Sequence, residues 1–226
     1  MARRRAAGSG SSSRAPRWKA GQVVALRVKG ELWTLAQLLR EPYLALFRTF
    51  VPADQLDGAQ PAPRDLLFTC AVTASLLRLS AAVPHAAAPV PGLEVPRRRI
   101  AAFVGTRQRV VWPGTAHERR FFTLEAESGG RLLERDPDAP ASAGTGTLVR
   151  ELSPADFAAT AGIELDTLWA FPLLNERLFL IHTLGRAVDP LKELRFDRPM
   201  PRAYQTFVDI LASHGSPDAW GYPSAR

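Results

Sequence analysis

The sequence predicts an α+β fold in which an antiparallel, strand-rich N-terminal part is followed by C-terminal helices. Three observations carry this. Consecutive apolar runs fill residues 18–50, short apolar runs punctuated by Pro and Gly continue to residue 135, and beyond residue 150 the apolar spacing lengthens to that of a helix.

In chain order, the first strand is expected over residues 23–28, opened by Gly21 and closed by the tight polar turn Lys29-Gly30. A second, rich in Leu, Trp and Thr, covers residues 32–39 and is broken by Glu41-Pro42. A third covers residues 43–50, where Tyr43, Ala45 and Phe47 alternate with Leu44, Leu46 and Arg48. Apolar residues occupy both faces of this meander, so each face needs a cover. Residues 51–64, with three prolines, two aspartates and Gly58, carry loop chemistry. Residues 66–77 (LLFTCAVTASLL) suit a buried strand, and the Ala/Pro-rich residues 80–96 suit an extended connection. Another strand is expected over residues 100–112, ending at Pro113-Gly114. A hairpin follows, pairing 121–126 with 131–135 through Ser128-Gly129-Gly130.

Residues 136–146 (DPDAPASAGTG) form an expected exposed loop. Three helices come next. Ser153-Pro154-Ala155-Asp156 supplies an N-cap, a first-turn proline and a first-turn acid for a short helix closed by Gly162. Residues 172–184 place Leu174, Leu178, Ile181 and Leu184 on one face before Gly185. Residues 201–214 gather Tyr204, Phe207, Val208 and Leu211 and stop at Gly215. Such helices cover one sheet face. The expected organisation is a disordered basic tail over 1–17, an antiparallel β domain over 18–135, and a loop and helical region over 136–226 packing on it.

Charge is unevenly spread. The net charge is +7, and residues 1–19 contribute six bases and no acid. Residues 94–120 hold seven arginines against two acids, and residues 121–226 hold ten bases against fifteen acids. A short Arg/Ser/Gly terminus reads first as a solvated extension and only second as a nucleic-acid arm. The start lacks an apolar stretch after its basic residues, and no apolar run approaches the roughly 18 residues of a membrane span, which predicts a cytoplasmic protein without membrane contact.

Chemistry-bearing residues are sparse. The single Cys70 excludes an internal disulfide framework and sits in an apolar strand without an adjacent base to favour the thiolate. His85, His117, His182 and His214 share no metal-ligand spacing, and each has a structural explanation, such as the helix C-terminal dipole at His214. Gly144 and Gly146 lack the remainder of a dinucleotide fingerprint. No catalytic residue, metal site or cofactor is expected. One constellation has content: Arg97, Arg98, Arg99, Arg107, Arg109 and Trp112, with Arg119 and Arg120 beside them. Such a mixture suits an acidic protein surface, the chain's own acidic half or, less well with a single tryptophan, single-stranded nucleic acid.

The runs Lys19-Ala20-Gly21-Gln22-Val23-Val24-Ala25-Leu26, Trp33-Thr34-Leu35-Ala36-Gln37-Leu38 and Pro42-Tyr43-Leu44-Ala45-Leu46-Phe47 resemble the opening strands of the immunity protein 26 family of bacterial polymorphic toxin systems. Asp65-Leu66-Leu67-Phe68 with Ala71-Val72 resembles a later strand of that family, so the likeness spans residues 18–78. It implies a small strand-rich domain, SH3-like in form, that binds and neutralises a cognate protein toxin, with an acidic surface after residue 121 as one means of doing so. It transfers no binding residue. The expected function is therefore a non-enzymatic protein-binding module, and the alternative is a nucleic-acid-binding accessory protein using the tail and the Arg97 to Arg120 stretch.

Overall fold

The first three strands start where the apolar runs place them, β1 (Val23–Lys29), β2 (Leu32–Leu38) and β3 (Tyr43–Phe47), but the third, expected to run to residue 50, ends at Phe47. They are antiparallel neighbours, with Val24 opposite Ala36 and Ala36 opposite Leu46. Gly30 closes the first turn at φ +56°, a left-handed conformation that glycine adopts without steric penalty. The computed structural model describes residues 16–136 and 146–222. The basic tail before residue 16, and most of the loop expected over 136–146, lie outside the described residues.

Two short strands, β4 (Val51–Pro52) and β6 (Val83–Pro84), pair with β2 and β1, while β5 (Leu66–Val72) and β12 (Leu168–Trp169) extend the sheet beyond β3. The strand order is β12-β5-β3-β2-β1-β6, and β12 runs parallel to β5. This is an open, mixed sheet, not the small SH3-like barrel that the family resemblance implies. The strand expected over 66–77 stops at Val72, because Thr73 N–H donates to Trp169 O and the following residues turn into the short helix α1 (Leu76–Leu79), which buries Leu76 and Leu77.

Both faces of this sheet are covered, by different means. One face, carrying Val24, Leu26, Leu38, Leu44, Leu46 and Cys70, packs on α2 (Leu173–Leu184) and α4 (Gln205–Leu211), which supply Leu174, Leu178, Ile181 and Phe207. Gly185 ends α2 in the left-handed conformation, as the sequence requires. The opposite face, carrying Val23, Ala25, Leu35, Tyr43, Ala45 and Phe47, is covered by irregular chain that brings Leu56, Ala87, Val90 and Leu93 against it. Gln37 fastens this cover: its amide donates to Val90 O at 3.2 Å and its carbonyl accepts from Val90 N–H at 2.7 Å.

The middle of the chain departs from the expected pairing. The strand expected over 100–112 is two strands, β7 (Arg98–Ala101) and β8 (Arg107–Val111). The hairpin expected between 121–126 and 131–135 does not form. β9 (Arg119–Thr123) pairs back on β8, and β10 (Gly130–Glu134) lies between β7 and β11 (Thr147–Leu152). Gly129 and Gly130 serve close approach here, not a two-residue hairpin turn. A Cβ on Gly129 would lie 2.0 Å from Leu152 O and one on Gly130 2.5 Å from Ala101 O. Pro113-Gly114 instead lies in the β8–β9 turn, with Gly114 at φ +72°.

The helical region also differs in detail. Residues Pro154–Thr160 form a 3-10 turn whose start is held by Ser153 N–H donating to the Asp156 carboxylate at 2.8 Å. The helix expected over 201–214 opens as a 3-10 turn at Arg202–Tyr204 and its α-helical part ends at Leu211. A further helix, α3 (Pro190–Arg195), is capped by the Asp189 carboxylate, which accepts from Lys192 N–H.

Gln37→Leu keeps the side-chain volume but leaves a buried Val90 N–H and C=O unpaired. A loss of about 2 to 3 kcal/mol is expected from denaturant unfolding, together with faster hydrogen exchange around Val90; an unchanged midpoint would show that the irregular cover is not held by this contact.

Candidate functional site

The strands β8 and β9 form a two-stranded sheet whose two faces meet different surroundings. Arg109, Val111 and Phe121 point inward, and the apolar pair packs on Leu194 and Val208 of α3 and α4. The opposite side carries Val110 and Phe122, diagonal neighbours because Val110 faces Arg120 and Gln108 faces Phe122. Phe122 is 70 % exposed, and Leu124 and Val104, just beyond the paired residues, are 86 % and 88 % exposed. Ala126 N–H donates to Phe103 O at 3.0 Å, which draws the segments bearing Leu124 and Val104 together. The outer side of the hairpin is thus an apolar surface with Arg120 on it.

Buried ionic contacts dock this hairpin. The Glu125 carboxylate, only 4 % exposed, accepts from Arg109 Nε at 3.2 Å and Nη2 at 2.5 Å, and from Arg195 Nε at 3.0 Å. Arg109 also donates to Asp197, which accepts from the Ser128 hydroxyl as well. Arg119 Nε donates to Asp209 at 2.6 Å, and Arg195 reaches Ile100 O at 3.2 Å. Charges buried as those of Glu125, Arg109 and Arg195 are must be mutually satisfied; Asp197 is exposed, and each of the three carboxylates serves more than one donor.

The six residues singled out in the sequence are distributed over this architecture. Arg97 and Arg98 are exposed. Arg99 is buried; Nη1 donates to Thr69 O at 2.8 Å, and the guanidinium lies 5.3 Å from the centre of the Tyr43 ring. Arg107 and Arg109 meet on Asp197. Trp112 donates from Nε1 to Met200 O at 2.7 Å and stacks under Arg202 at 4.6 Å. For Arg107, Arg109 and Arg119 the acidic partner is the chain's own C-terminal half. The exposed Val104, Val110, Phe122 and Leu124 were not singled out, because in Val110-Val111 and Phe121-Phe122 both members are apolar and a period of two cannot say which faces the core.

The remaining polar candidates have structural roles. Ala87 N–H donates to His85 Nδ1 at 3.1 Å, leaving Nε2–H to donate to Leu56 O at 2.9 Å, which fixes a neutral tautomer. His182 is exposed and packs on Phe50 with ring centres 5.2 Å apart. Cys70 is fully buried, and its thiol is pushed far up by desolvation, reinforced by Glu164. Among the described residues no group of three or more His, Cys, Asp and Glu is placed to hold a metal ion.

Two predictions follow from the ionic docking. Glu125→Gln leaves two buried guanidinium groups against a neutral amide, and a loss of about 3 to 5 kcal/mol is expected in urea unfolding; a loss below about 1 kcal/mol, the range of an exposed ion pair, would contradict the assigned role. The second concerns acid. Among the described residues four carboxyls titrate below their ordinary range: Asp156, at about 2, held by Ser153 N–H and Arg150; Glu118, held by Gly114 N–H and Arg120; Asp197, where Ser128 and Arg109 outweigh partial burial; and Glu164, where Arg177 outweighs burial. A depressed folded pKa adds stability above the unfolded value and loses it as pH falls, so stability is expected to decline from about pH 4 toward pH 2. Asp197→Asn should flatten that decline in melts recorded across this range.

Comparison with protein-family models, curated proteins and solved structures gave no match for this chain.

Proposed function

We propose that the chain is a non-enzymatic protein-binding module that neutralises a cognate bacterial protein toxin by direct contact. The observation that carries the binding reading is the bare outer face of the β8–β9 hairpin. An apolar patch left exposed on a rigidly docked element is the usual mark of an interaction site. Removing one such side chain from water at an interface contributes about 1.5 to 3 kcal/mol, so Phe122 and Leu124 with two valines make an adequate anchor. The toxin as partner rests on the resemblance of the opening strands to the immunity protein 26 family.

Engagement of Arg99, Arg107, Arg109 and Arg119 inside the chain leaves the basic stretch few guanidinium groups for phosphates, which supports a protein partner over a nucleic acid. The acidic half is similarly occupied: Glu125, Glu164, Glu176, Asp197 and Asp209 all accept from basic side chains of the same chain. A phosphate-mimicking acidic face therefore has little support, and the apolar hairpin face is the better candidate surface.

The test is co-expression with the product of an adjacent toxin gene. Growth rescue and a stable purified complex are expected, and failure of rescue with every neighbouring product would sink the toxin reading. The double substitution Phe122→Asp and Leu124→Asp alters only exposed side chains, so the melting temperature should stay while affinity for the partner falls by about a hundredfold or more. Unchanged affinity would move the binding surface elsewhere.

A further inference from the structure

A cavity of about 630 Å³ opens between the 3-10 turn at Pro154–Thr160 and the segment running from Arg186 to Pro199, with Phe68 of β5 and Arg177 of α2 at its base. Its size is that of a small-molecule site. None of its lining residues belongs to the outer face of the β8–β9 hairpin.

The charges at its base are used up within the chain. Arg177, fully buried, donates to both Glu164 oxygens at 2.7 and 2.9 Å and to Val188 O at 3.0 Å, and its guanidinium lies 3.7 Å from the centre of the Phe68 ring. Lys192 donates from Nζ to Thr160 O at 3.1 Å and Ile163 O at 3.0 Å. Asp189 accepts from Lys192 N–H, and Glu193 accepts from the Tyr204 hydroxyl at 3.0 Å. Burial pushes the carboxyls of Asp189 and Glu193 upward, and Asp189 Oδ2 lies 3.4 Å from Arg177 Nη2.

The rim is different. Arg198 is exposed, its guanidinium lies 5.4 Å from the centre of the Phe157 ring, and among the described residues no carboxylate lies within ion-pair distance of it. Arg186, also exposed, lines the same cavity beside Glu193 and Tyr204. Between these arginines and the base, the wall is apolar, formed by Phe157, Ala158, Ala161 and Pro199. Accessible positive charge above an apolar wall selects a ligand with a negative head and an apolar body.

We infer that this cavity is a binding site for a small amphipathic organic anion, a carboxylate or phosphate whose head meets Arg198 and Arg186 and whose apolar body lies against Phe157, Ala158 and Ala161. The site is separate from the proposed toxin-binding surface and stands or falls independently of it.

The test titrates the full chain by calorimetry and amide NMR with four probes of similar size: benzoate, phenyl phosphate, benzyl alcohol and benzylamine. Saturable binding of benzoate or phenyl phosphate is expected, with amide shifts confined to residues 157–162 and 186–199, and the neutral and cationic probes binding about tenfold more weakly or not at all. Arg198→Gln, a change at an exposed side chain, should weaken the anion by about tenfold, the size of one charge-assisted contact. Ala158→Trp should fill the cavity and abolish binding without lowering the melting temperature. Equal binding of all four probes, anion binding indifferent to Arg198→Gln, or no binding at millimolar concentration would overturn the inference.

Discussion

The central sheet is apolar on both faces, and everything else in the chain answers to that constraint. Val23, Ala25, Leu35 and Phe47 on one side, and Val24, Leu26, Leu38 and Leu46 on the other, are all nearly inaccessible to water. A strand buried on both faces contributes twice the apolar area of a half-exposed one, but only if two separate covers are ordered. Helices α2 and α4 give one. The other is irregular chain rich in proline, whose restricted backbone loses less entropy on ordering than a flexible loop would. Its own peptide groups need partners, which is why Gln37, buried among apolar residues, bonds both polar groups of Val90.

Charge organises the second layer. The sequence separates a basic middle from an acidic C-terminal half, and folding brings them together through Arg109, Glu125 and Arg195, through Arg119 and Asp209, and through Arg107 and Asp197. The buried contacts of Glu125 with Arg109 and Arg195 contribute less to stability than their Coulomb attraction suggests, because the ions are desolvated, but breaking one is costly, whereas the exposed Arg107–Asp197 pair contributes little. They fix the β8–β9 hairpin in one position. That rigidity gives meaning to the apolar residues on its outer side, since Phe122 and Leu124 are presented on an anchored element and not on a loose loop. The same segregation leaves Arg198 at the rim of the cavity beside α3 without an ion-pair partner among the described residues, next to Arg186, which lies beside Glu193.

The strands β1, β2 and β3, the end of α2 at Gly185 and the Ser153 cap were legible in the sequence because local chemistry decides them: apolar runs between turn residues, a left-handed glycine, an acid placed to hold a helix start. The α+β class followed from the change in apolar period. The pairing of β8 with β9 and of β10 with β7 and β11 was not legible. Gly129-Gly130 has the composition of a hairpin turn, yet the glycines are there because Leu152 O and Ala101 O come too close for a side chain. Nothing local records the approach of strands 23 and 29 residues away, at Leu152 and Ala101.

The functional surfaces divide in the same way. From the sequence alone, the arginine-rich stretch was identifiable as the place where charge concentrates. Which arginines are consumed internally, which side of Val110-Val111 and Phe121-Phe122 meets water, and that Arg186 and Arg198 share a cavity with Phe157 were decided by tertiary structure. The physical reason is range. Backbone propensity, capping and turn chemistry act over a few residues and are written in the local sequence. Burial, ion pairing and the lining of a cavity join residues such as Arg109 and Asp197 that are far apart in the chain, and they exist only once the covers of the central sheet are in place.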